Sequence, residues 1–145
     1  MRRMRITACA AFLFVAFSLL AAPPSGTIQV THVTWNDAPP TMPAGTKIAV
    51  LEGDPKKPGL FTIRLKVPAG SVIAPHWHPR PERVTVLAGH VLVGFSDVVD
   101  EKSATEFTDG GFYVNARKAH HWVKFAEDTV LQLTCEGPWE LNYLK

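Results

Sequence analysis

Along Phe61-Thr62-Ile63-Arg64-Leu65-Lys66-Val67 every second side chain is apolar, which is the period of a half-buried β-strand. Val84-Thr85-Val86-Leu87 and Val91-Leu92-Val93-Gly94-Phe95 predict two more strands, and Ala88-Gly89-His90 between them predicts a hairpin. Phe112-Tyr113-Val114, Thr129 to Thr134 and Trp139 to Leu144 are further β-rich runs, and an early strand is expected over Thr27 to Trp35. Turns fall at Pro39-Pro40, Pro43, Pro55, Pro58 and Pro68. No long amphipathic helix and no internal repeat is visible after the first segment. Many short strands punctuated by Gly and Pro predict an all-β fold, a sandwich or a barrel, and the pattern alone does not choose between them.

The first residues read differently. A basic stretch, Met1-Arg2-Arg3-Met4-Arg5, precedes an uncharged and largely apolar run from Ile6 to Ala22, then Pro23-Pro24. That order is the layout of a secretory signal peptide. The run falls short of the roughly 20 residues that span a bilayer, so no stable membrane anchor is expected. The expected organisation is therefore a removed leader over 1–22 and one domain over 23–145, with a periplasmic or secreted location.

Removing the leader alters the charge. The chain has 15 Lys+Arg and 13 Asp+Glu; Arg2, Arg3 and Arg5 leave with the leader, so twelve basic residues face 13 acidic ones. No basic patch argues for nucleic acid. With Cys9 removed, Cys135 is the one remaining thiol, so no internal disulfide can form, and a buried apolar role is expected for it.

His76 and His78 are two positions apart. On a strand such side chains leave the same face about 6.5–7 Å apart, close enough to converge on one ion through bonds near ~2 Å. Glu82 keeps the same parity, and Pro79-Arg80-Pro81 between them excludes a regular helix or central ladder. A bulge there is expected to swing Glu82 back toward the histidines.

Gly70-x5-His76-x-His78-x3-Glu82-x6-Gly89 resembles the first conserved motif of the cupin superfamily, with every marked position filled. Gly110-x5-Ala116-x-Lys118-x2-His121 resembles the second motif but lacks its Pro and its later Gly, and Phe125 stands where Asn is usual. About 20 residues separate Gly89 from Gly110, and the resemblance covers roughly Phe61 to Leu133. Glu136-Gly137-Pro138-Trp139 is similar to a segment of small exported cupins. The resemblance implies a double-stranded β-helix, or jelly-roll barrel, with His76, His78, Glu82 and His121 as metal ligands. Counting from Gly110 selects His121, whereas counting from Asn115 in place of the proline selects His120; the Gly110 register is preferred. His90 and His32 are expected to bind nothing.

Three imidazoles and one carboxylate form a mixed N/O donor set with two octahedral positions left open. One divalent ion is expected, Fe2+ or Mn2+ by preference, with Zn2+, Ni2+ and Cu2+ also suited to these donors. The implied activity is metal-dependent, dioxygenase-like oxidation of a small molecule, against the alternative of a non-catalytic binding module. Trp77 should face away from the ligands. Phe112, Trp122, Phe125 and Trp139 are candidate pocket aromatics whose default role is core packing. Arg80 and Arg83 read first as a solvated turn and second as a carboxylate clamp, and the face of Gln132 is undetermined. A homodimer through the Thr27 to Trp35 strand would match a habit of cupins.

Overall fold

The apolar alternation between 59 and 67 forms one of the two longest strands, and it runs beside the other for its whole length. The computed structural model describes residues 26–145; the leader and Cys9 lie outside them. The short strands β1 (Asn36–Asp37) and β2 (Lys47–Glu52) precede β3 (Gly59–Val67) and β4 (Val72–Trp77). Then come β5 (Glu82–Ala88), β6 (Val91–Gly94), β7 (Thr105–Phe107) and β8 (Phe112–Asn115). The last three are β9 (His121–Phe125), β10 (Thr129–Gly137) and β11 (Asn142–Tyr143). One 3-10 turn, Glu101–Ser103, is capped by the Asp100 side chain. No described helix is long and apolar enough to cross a membrane.

Two antiparallel sheets result, in the orders β1-β2-β3-β10-β5-β8 and β11-β4-β9-β6-β7. Each places its apolar alternate residues inward, so Phe61, Ile63 and Leu65 of β3 pack with Val91, Val93 and Phe125 of the facing sheet in one core. The architecture is an all-β jelly roll of the expected kind. Among the described residues, each sheet is hydrogen-bonded within itself and no ladder joins the two.

Three details differ from the sequence expectation. Ala88-Gly89-His90 does not close a hairpin: β5 is flanked by β10 and β8, leaving no free edge, so β6 crosses into the other sheet beside β9 and β7. Gly89 makes that crossing with φ +101°, and a Cβ there would lie 2.7 Å from the Asp128 carbonyl oxygen. No strand forms over 27–35, whose side chains are mostly exposed. The run from Trp139 to Leu144 contributes only the two residues of β11.

Candidate metal centre

β4 and β9 pair so that His76 stands directly opposite His121. His78 lies just beyond β4 with the parity of His76, and the loop Pro79-Arg80-Pro81 then leaves the sheet. The ladder ends because neither proline can donate to it. The loop carries the chain across to the other sheet, where β5 starts at Glu82 between Asn115 of β8 and Cys135 of β10. Glu82 thus meets the histidines from the facing sheet, where a local bulge was expected. All four side chains are buried.

The ligand nitrogens of His76, His78 and His121 all lie within 4.8 Å of one another. One ion with bonds near ~2.1 Å can bridge that span after a small inward shift. Each imidazole is oriented through its other nitrogen. His76 Nδ1 donates to the Ala74 carbonyl at 2.8 Å, His78 Nδ1 to that of Glu140 at 2.7 Å and His121 Nδ1 to that of Ala119 at 3.1 Å. A carbonyl can only accept, so each Nδ1 carries a proton, and in the neutral ring Nε2 then presents a lone pair. Backbone partners of this kind are the usual means of aiming a metal-binding histidine.

Glu82 Oε2 lies 3.4 Å from His78 Nε2. Asn115 Nδ2 donates to Oε2 and Trp139 Nε1 to Oε1, both at 2.9 Å. A carboxylate has about four lone-pair directions, so both oxygens keep acceptor capacity toward the cluster. His78 Nε2 is buried without a hydrogen-bond partner. With that ring neutral it faces a carboxylate oxygen lone pair to lone pair, a contact that a metal ion or a proton between them turns from repulsive to favourable.

Burial, followed by the nearby charges of His121 and His78, pushes the His76 pKa down to about 3. Burial likewise lowers that of His121, against the opposing Ala119 hydrogen bond and the Glu82 charge. In the metal-free chain both rings are neutral, ready to bind without first losing a proton. A ring near 6.5 when unfolded and near 3 when folded takes up its proton only on unfolding in that interval. On this account the metal-free chain is expected to lose on the order of a few kcal/mol as pH falls from about 6.5 to about 3, with no contribution from these rings between about pH 7 and 8. Urea melts at a series of pH values read this directly, and equal stability at pH 7 and pH 4 would contradict it.

The other candidates separate cleanly. His120 is exposed, its Nδ1 2.6 Å from Asp97 Oδ1. His90 Nε2 stands 3.3 Å from Glu106 and His32 is exposed, both away from the cluster. Trp77 turns away from the site, with Lys118 Nζ 6.0 Å from its ring centre. Arg80 and Arg83 are exposed. Phe112 is exposed, Phe125 is core, and Trp122 lies against Gly94 with its N–H on Ser96; of the four aromatics only Trp139 reaches the site. Gln132 accepts from Arg64 on the outer face. Cys135 is buried, and burial raises its thiol to about 11.

Residues 24–140 match the family model of the ChrR cupin-like domain. The chain belongs to the ChrR cupin-like family. Solved structures agree on the fold. A candidate acetylacetone dioxygenase from Methylibium petroleiphilum PM1 is 21% identical, with a TM-score of 0.66 over 88% of this chain and 85% of that one. An acetylacetone dioxygenase from Acinetobacter johnsonii gives 17% identity and a TM-score of 0.65 over 86% and 83%. The polyketide cyclase RemF from Streptomyces resistomycificus gives 14% and 0.65 over 82% and 87%. A search of curated proteins returned no match.

Within this cupin site, Asn115 and Trp139 as partners of Glu82 are what the sequence did not reveal. Asn115 lies one position before Ala116, which stands where the second cupin motif has proline, and its side chain turns inward to Glu82. Trp139→Phe keeps the ring and deletes the donor. Losing one such outer partner is expected to weaken metal binding by roughly 10–100-fold. Competition against a chromophoric chelator measures this, and an unchanged constant would leave Trp139 as packing alone.

Proposed function

We propose that this cupin is an exported, metal-dependent enzyme that oxidises a small molecule with dioxygen, its ion held by His76, His78, His121 and Glu82. The observation that carries the reading is the buried, unpartnered Nε2 of His78 facing the Glu82 carboxylate at 3.4 Å. The donor set suits Fe2+ or Mn2+, with Zn2+, Ni2+ and Cu2+ following raw affinity. A redox-active ion there would relay electrons from the substrate to dioxygen and so lift the spin restriction on its reaction with a closed-shell organic molecule.

The chain's own residues do the rest. The carbonyls of Ala74, Glu140 and Ala119 fix the three rings, Asn115 and Trp139 fix Glu82, and Leu133 and Leu141 keep bulk water from the cavity. Likeness to the acetylacetone dioxygenases suggests a β-dicarbonyl compound as substrate. The leader-like segment 1–22 supports a periplasmic or secreted location.

The test is anaerobic loading with Fe2+, then admission of oxygen with acetylacetone. Coupled loss of oxygen and diketone absorbance is expected with iron, absent with zinc and absent in His76→Ala. A second reading, a non-catalytic module that captures a metal or small ligand, is favoured by the small size of the cavity, about 30 Å³. No turnover with any reconstituted metal, together with stoichiometric binding, would establish it instead.

A further inference from the structure

A cavity of about 30 Å³ between the histidines and Glu82 holds an ion or a water, and no organic molecule. A second concavity of about 570 Å³ adjoins it. Its apolar lining includes Pro39, Ile48, Val50, Pro55, Trp139 and Leu141, and the last two also line the inner cavity. Sites for small molecules span roughly 300–1,000 Å³, so only the outer space has substrate size.

The groove exists because the two sheets do not meet along this seam. Ile48 and Val50 stand opposite Leu65 and Ile63, so they share the inward face of their sheet. The opposing sheet ends at the two-residue β11 and does not cover them, which leaves Val50 50% exposed on a face otherwise committed to the core. Charges in the groove cancel. Asp37 is paired with Lys47 at 2.6 Å, and Lys56 and Glu140 are of opposite sign.

The partition itself is an indole. Trp139 stacks at 14° on the His78 ring, and its N–H is tied to Glu82. Trp139 and Leu141 line both spaces, so a molecule crossing between them at the indole would displace this ring and break that hydrogen bond.

We infer that the seam groove is the binding site for a largely apolar, uncharged small molecule, with Trp139 the partition it displaces to reach the metal cavity. Access to the metal rests on the metal-dependent reading above; occupancy of the groove does not. The test is therefore a binding measurement without turnover, an NMR titration of the methyl-labelled chain with acetophenone, metal-free and zinc-loaded. Saturable shifts are expected at the Ile48, Val50 and Leu141 methyls and the Trp139 indole N–H in both forms. Val50→Trp, which fills the groove, should weaken binding by about tenfold or more while metal uptake stays stoichiometric. Val98→Trp, on a remote exposed loop, should leave the affinity unchanged. In Trp139→Ala the shifts should extend to Ile73 and Val123, which line the inner cavity. Shifts elsewhere, no shifts, or full affinity in Val50→Trp would overturn the assignment. So would concentration-dependent shifts of the same methyls without acetophenone, which would assign the groove to a second copy of the chain. Absence of oxygenase activity would not bear on any of these outcomes.

Discussion

Chains carrying His78→Ala are expected to be purified without stoichiometric metal, whereas the parent is expected to hold one divalent ion per chain; elemental analysis reads both. His78 contributes one of three imidazole donors and the lone pair that faces Glu82. Deleting even an outer partner of a ligand costs roughly 10–100-fold in affinity, so deleting a donor should cost at least about 100-fold. Glu82→Gln removes the charge and keeps the shape, but its single amide oxygen can accept from only one of Asn115 and Trp139, and its NH2 meets the other donor. It should lower occupancy less than His78→Ala while still reducing it. Neither residue belongs to the hydrophobic core, so the fold is expected to survive both changes and circular dichroism to be unaltered. Stoichiometric metal in both variants would remove the case for this centre.

Phe61→Ala should be the most damaging substitution for stability. Phe61 is fully buried on β3, stands opposite Cys135 and lies 6.4 Å from the Trp139 ring. Truncating a buried phenylalanine costs about 3–5 kcal/mol, a large share of the roughly 5–15 kcal/mol that holds a domain together. Urea denaturation should show a lower midpoint at unchanged slope. The cavity also removes support from Trp139, so metal affinity should fall alongside. Val98→Ala, at a site 69% exposed, should shift stability by less than ~0.5 kcal/mol. A loss under about 1 kcal/mol in Phe61→Ala would mean that the core closes around the void.

The strands carrying the core were legible because their alternation is strict: Phe61 to Val67 and Val84 to Leu87 need no tertiary knowledge to assign a face. The shared face of His76 and His78 follows from the same parity. His121 came from a motif count, and its position opposite His76 depends on a pairing of strands distant in sequence. Glu82 faces the histidines by crossing between sheets, which parity cannot describe. The hairpin reading of Ala88-Gly89-His90 failed for the same reason. Two strands joined by a short glycine turn look alike whether or not the first has a free edge, and β5 has none. Asn115 and Trp139 lie 33 and 57 positions from Glu82, beyond any local pattern. Thr27 to Trp35 has β-prone residues but no partner strand, and propensity without a partner does not make a strand.

Strand β10 has a consequence for the order in which the chain can fold during synthesis. It is the shared neighbour of β3 and β5, paired with β3 from Thr129 opposite Val67 to Gly137 opposite Gly59. Until Thr129–Gly137 leaves the ribosome, β3 and β5 have no hydrogen-bonding partner between them and their apolar faces stay open. Sheet closure is thus a late, long-range event, and such topologies nucleate slowly. A nascent chain of this design leaves the facing edges of β3 and β5 unpaired until β10 is made.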